Sequence, residues 1–68
     1  MKQMNKKPVD YKQDYLNALE KNNDKLDEIA LGENIGLNEN ETKELIDILI
    51  KENKIEFKSF GLCSYKKL

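Results

Sequence analysis

The 68-residue chain contains no histidine, no arginine and no tryptophan, and it has one cysteine, one proline and three glycines. Each absence removes a class of function. Without histidine the usual proton shuttle and the commonest transition-metal ligand are missing. A single cysteine forms neither an internal disulfide nor a zinc cluster. The expectation is therefore a protein that is not an enzyme and uses no cofactor and no metal. The basic start Met1-Lys2-Gln3-Met4-Asn5-Lys6-Lys7 leads into no apolar run, so neither a secretory signal nor a membrane anchor is expected. One thiol without a partner suits a reducing compartment, and the expected location is cytoplasmic. An excess of lysine, asparagine and isoleucine over arginine matches AT-rich coding and points to a bacterial or phage gene.

Twelve lysines against thirteen acids give a formal net charge of −1, which conceals an uneven distribution. In residues 1–12, four lysines face Asp10 alone, and in residues 55–68 Lys58, Lys66 and Lys67 face Glu56 alone. Between Gln13 and Asp47, ten acids face only Lys21, Lys25 and Lys43. A polyanion would be drawn to the ends and repelled by the middle. A chain of this length folds as one domain that removes about 60% of its unfolded surface from water. At roughly 0.05–0.15 kcal/mol per residue, about 3–10 kcal/mol holds it together.

The order of elements follows from periodicity. Residues 1–8 read as a flexible basic arm. After Pro8, Asp10 can cap a helix and Gln13 can complete a capping box. Tyr11, Tyr15, Leu16, Ala18 and Leu19 recur at spacings of three and four, which predicts a helix over about 10–22. Asn23 or Asp24 can cap a second helix, about 24–35, with Leu26, Ile29, Ala30 and Leu31. Gly36 supplies the positive φ of a turn, and Asn38 with Glu41 forms a capping box for a third helix, about 39–53. Leu45, Ile46, Ile48, Leu49 and Ile50 make that helix the most apolar. The period then shortens to two. Ile55 and Phe57 alternate with Glu56 and Lys58, predicting a hairpin over about 55–67 around Phe60-Gly61-Leu62. Two registers are open: a three-residue loop pairs Phe57 with Tyr65, and a two-residue Gly61-Leu62 turn pairs Lys58 with Tyr65.

Three residue runs, Leu26-Asp27-Glu28-Ile29-Ala30, then Ile35-Gly36-Leu37-Asn38, then the stretch from Lys43 to Ile55 ending in Leu49-Ile50-Lys51-Glu52-Asn53-Lys54-Ile55, resemble the winged helix-turn-helix family of small bacterial and phage regulators. The resemblance covers nearly the whole chain. It implies a mainly α fold, three helices with a C-terminal β-hairpin, in which the second helix supports, the third enters the major groove and the hairpin is the wing. Two features depart from the family pattern. Five residues instead of about three separate Ala30 from Gly36, so either the second helix is longer or Gly32 takes the place of the small residue. With no arginine, the bidentate guanine contact is missing as well.

On a helical wheel the apolar side of the third helix centres on Leu45 and Leu49, which leaves Asn40, Lys43, Glu44, Asp47 and Lys51 facing outwards. As a reading face, Asn40 would pair with adenine, Lys43 with guanine or phosphate, and Glu44 or Asp47 with a cytosine amino group. The plainer reading is a solvated surface, since two acids cancel two lysines. Lys58, Lys66 and Lys67 on the hairpin, with Lys2, Lys6 and Lys7 on the arm, form the electrostatic footprint. Lysines on edge strands also prevent aggregation. Phe60 and Tyr65 beside them would stack on bases or on a partner, or, more often for such aromatics, cover a small core. Cys63 reads as a small half-buried strand residue, unreactive as a sensor. The leading expectation is a small transcriptional regulator that binds double-stranded DNA; the alternative is a winged-helix protein-interaction module whose acidic helices bind a basic protein. No dimerisation helix follows the hairpin, so a monomer or weak homodimer is expected.

Overall fold

A computed structural model describes residues 7–68, and the expected arm lies almost entirely outside the described residues. The chain enters through a 3-10 turn, Pro8–Tyr11, with proline in its first turn where the ring presets φ. Helix α1, Lys12–Asn22, follows without a side-chain cap. The expected box between Asp10 and Gln13 does not form. Asp10 lies inside the 3-10 turn, its N–H donating to Lys7 O at 2.9 Å, and Gln13 donates instead to Asn17 at 3.0 Å.

Asn23 and Asp24 both take left-handed backbone, with φ of 51° and 60°. Neither can therefore lie in a helix. The second helix starts four residues later than its sequence suggests. Helix α2 spans Glu28–Asn34 and is capped by Asp27, whose carboxylate accepts from Ala30 N at 2.8 Å. The intervening loop is tied by Asn22, whose side-chain amide donates to Leu26 O at 2.8 Å and accepts from Leu26 N at 3.0 Å.

Gly36, at φ 98°, turns the chain, and Leu37 drops back into the core. Helix α3, Glu39–Lys51, begins with the expected capping box: Asn38 accepts from Glu41 N and Glu41 accepts from Asn38 N, both at 2.8 Å. It stops two residues short of the expected end because Asn53 adopts φ 61° and Lys54 N folds back onto Leu49 O at 2.9 Å. Strands β1, Ile55–Phe57, and β2, Tyr65–Lys67, pair antiparallel with Ile55 opposite Lys67, Glu56 opposite Lys66 and Phe57 opposite Tyr65. This is the first of the two open registers. One further bond, Lys58 N to Ser64 O at 2.8 Å, closes the loop.

Three helices followed by an antiparallel hairpin give the layout of a winged helix. The core unites all of them: Tyr15, Leu16 and Leu19 of α1, Leu31 of α2, Leu37, Leu45, Ile46 and Leu49 at and along α3, then Ile55 and Cys63 of the hairpin. Leu45 and Leu49 are fully buried, as the helical wheel requires. Gly32 is the small residue where α2 meets α3. A Cβ there would overlap the Thr42 side chain, and that buried hydroxyl donates to Asn38 O at 2.9 Å.

Candidate functional site

The outward face of α3 carries Asn40, Lys43, Glu44, Asp47 and Lys51, all exposed. Its two cations are already engaged. Lys43 Nζ lies 3.1 Å from Glu39 Oε2 and Lys51 Nζ lies 3.2 Å from Asp47 Oδ2, each pair one turn apart. Such exposed pairs contribute only a few tenths of a kcal/mol, so an incoming charge can displace them. They do cancel locally. Across residues 27–51, which hold α2, the turn and α3, seven acids face two lysines.

The hairpin lysines behave differently from one another. Lys66 Nζ sits 3.2 Å from Glu56 Oε2 on the neighbouring strand. Lys67 is exposed and makes no ion pair with a described residue. Lys58 turns inward, with only 10% of its side chain exposed. Its ammonium donates to Asp24 Oδ1 at 2.6 Å and to Phe60 O at 2.8 Å, and it lies 4.8 Å from the centre of the Phe60 ring. Asp24 also accepts from Cys63 N at 3.3 Å. The Lys58 hydrogen bond holds the Asp24 carboxyl below its ordinary pKa. Lys58 thus staples the hairpin loop to the turn between α1 and α2, and Gly61 is the residue that lets it do so. A Cβ on Gly61, at φ 86°, would overlap both partners.

Lys58, Lys66 and Lys67 line a hollow against the end of α1, beside Asn22, Asn23 and Asp24. The α3 residues Lys43 and Asp47 line a different depression. It is a groove of about 350 Å³ between α2, α3 and β2, with Ile29, Ile46, Ile50 and Tyr65 as its apolar surface and Glu28 as a third polar wall. The structure therefore does not gather the helix and wing lysines into one pocket. From the wing, the groove receives an aromatic ring instead of a cation.

Four residues of this groove have no site role in the sequence reading: Glu28, Ile29, Ile46 and Ile50. Ile50 was counted with the apolar run of its helix, yet it is 39% exposed. Its wheel angle, a third of a turn and more from Leu45, is the signal that could have found it. Glu28 is fixed by two bonds: its carbonyl accepts from the Tyr15 hydroxyl at 2.9 Å, and its Oε1 accepts from Ser64 N at 2.9 Å. Tyr65 meets Phe57 edge to face, with centroids 5.9 Å apart, and Phe57 itself is 64% exposed. The apolar surface thus continues from the groove onto the hairpin.

Cys63 is not a half-buried strand residue: it lies in the hairpin loop ahead of β2 and is fully buried, and burial pushes its thiol pKa up. Its Sγ sits 3.4 Å from Tyr65 O. Among the described residues no group of three or more cysteine or acidic side chains is placed to hold a metal ion, and no helix is long and apolar enough to cross a membrane. Comparison with family models, with curated proteins and with solved structures found no match for this chain.

Proposed function

We propose that this chain is a protein-interaction module, a winged-helix scaffold that presents its acidic second and third helices to a basic segment of a partner protein. The observation that carries this reading is the charge of the helix-turn-helix unit. Seven acids against two lysines, with both lysines paired to acids of their own helix, create a field that attracts cations and repels phosphate. The apolar surface beside those acids supports the same reading, because protein interfaces combine an apolar centre with a polar rim.

A second reading, binding of double-stranded DNA, is favoured by one observation: Asn40 is exposed on α3 and Lys66-Lys67 are exposed on β2. On that reading Asn40 reads adenine and the β2 lysines release counterions. An NMR titration separates the two. A short lysine-rich peptide should move amides of α2 and α3, and mixed-sequence duplex DNA should move none, at low or moderate salt. Salt-sensitive duplex binding would reverse the order. In that case replacing Lys66 and Lys67 together by glutamine should shrink the salt slope by up to about two units, and Asn40→Ala should cost about 1–3 kcal/mol on a preferred site only.

A further inference from the structure

We propose that the groove between α2, α3 and β2 is the seat of the partner, and that it takes a short segment in which a lysine or arginine is flanked by apolar side chains. This rests on the interaction reading above and adds where and what is bound. Four apolar residues form the surface that such side chains would cover: Ile29 from α2, Ile46 and Ile50 from α3, and Tyr65 from β2. Phe57 extends it along the hairpin. The volume, about 350 Å³, lies at the low end of the range of roughly 300–1,000 Å³ typical of ligand pockets. That suits a few side chains of a peptide.

Charge selects the occupant. Glu28 and Asp47 stand on the walls. Glu28 uses Oε1 to hold Ser64 N, and among the described residues nothing donates to its Oε2. Among the described residues Asp47 is paired only with Lys51, in a contact where both side chains are more than half exposed. Lys43, the one cation among the described residues of the lining, is engaged by Glu39. A guanidinium or ammonium entering between Glu28 and Asp47 gains a charge-assisted hydrogen bond and displaces little. A second copy of this chain fits poorly, because the same acidic helices would face each other. A nucleic acid would set phosphates against both carboxylates and leave the apolar surface wet.

The test is selection of random short peptides displayed on phage against the wild-type protein, followed by affinity and NMR measurements on the enriched sequences. Enriched peptides should carry a basic residue between apolar ones. Their shifts should concentrate on the side chains of Ile29, Ile46, Ile50 and Tyr65. Ile50→Lys changes a partly exposed side chain and should weaken them by at least about tenfold, and Asp47→Lys should do the same. A melting curve checks that each variant is folded. Leu62→Ser, at an exposed side chain that does not line the groove, should leave peptide affinity unchanged, and an equal loss there would mark nonspecific adhesion and overturn the proposal. Basic peptides that bind without sensitivity to Ile50→Lys would sink the groove and leave the interaction reading standing. Selection of no basic peptide, together with salt-sensitive duplex binding, would sink both.

Discussion

Tyr15 shows how much one side chain can carry in a domain this small. It is fully buried, and its hydroxyl donates to the carbonyl of Glu28, so a single phenol joins α1 to the start of α2. Burial, and then the neighbouring charges of Cys63 and Glu28, raise its pKa well above the ordinary 10.0. The folded state therefore holds this proton more tightly than the unfolded chain does. Its contribution is complete below pH 10 and is lost as pH rises beyond that value. Tyr15→Phe should lower stability by about 0.5–1.5 kcal/mol at neutral pH through the missing hydrogen bond. Urea midpoints taken at neutral pH and above pH 10 should fall less steeply for the variant than for the wild type, and parallel curves would remove Tyr15 as the cause. Leu49 carries weight of another kind. With no exposed surface, Leu49→Ala should cost about 2–5 kcal/mol, much of the total. A measured loss under about 1 kcal/mol would contradict its place at the centre of the core.

Elements are held to each other by contacts that differ in how visible they are in the sequence. The capping box of Asn38 and Glu41, the turn at Gly36 and the buried stripe of Leu45 and Leu49 were all readable, because each depends on residues within a turn or two of one another. The start of α2 was not. Asn23 and Asp24 are residue types that cap helices and also types that tolerate left-handed backbone, and only the hydrogen bonds of Asn22 to Leu26 decide between these uses. The clamp between Asp24 and Lys58 was out of reach for a different reason: the partners lie 34 residues apart, and no local pattern joins them. The same clamp removes Lys58 from the electrostatic footprint expected of the hairpin lysines. The groove was half legible, since the wheel places Lys43 and Asp47 on the exposed side, while the apolar run assigns Ile50 to the core and no local pattern brings Tyr65 or Glu28 to them.

Two expectations belong to this scale. Gly32→Ala should destabilise by about 1–3 kcal/mol, because the added methyl meets Thr42 where the two helices touch. Thermal melts of this variant and of Gly32→Ala with Thr42→Ser should differ little, since the crowded atoms include the hydroxyl that serine retains. The clamp should respond to acid. Its carboxyl has a folded pKa below the ordinary 3.8, so its contribution is present above that value and disappears as pH falls through the folded one. Protection of the Lys58, Cys63 and Ser64 amides, taken relative to the intrinsic exchange rate at each pH, should fall in acid ahead of that of the helices, and Asp24→Asn should lower it already at neutral pH; protection that stays level would remove the clamp as its source.

For the whole molecule, the decisive property is that one core draws on every element. Unfolding should be two-state, with circular dichroism and tyrosine fluorescence giving coincident urea transitions and a slope near the lower end of roughly 1–3 kcal/mol/M. Separate transitions for hairpin and helices would refute that unity. At this size about 1 kcal/mol moves the melting temperature by roughly 4–8 °C, so the substitutions above are resolvable. The placement of Ile55 and Cys63 also bears on how the protein comes into being. A ribosome adds about 5–20 residues per second and releases the chain from its amino end. The leucines and isoleucine of α3 therefore leave the exit tunnel before the hairpin residues that complete their packing exist outside it. No nascent intermediate shorter than residues 15–63 holds a closed core. During that interval the stripe of Leu45, Ile46 and Leu49 is open to any hydrophobic surface nearby, and the delay, unlike the folding step that ends it, is set by the speed of translation.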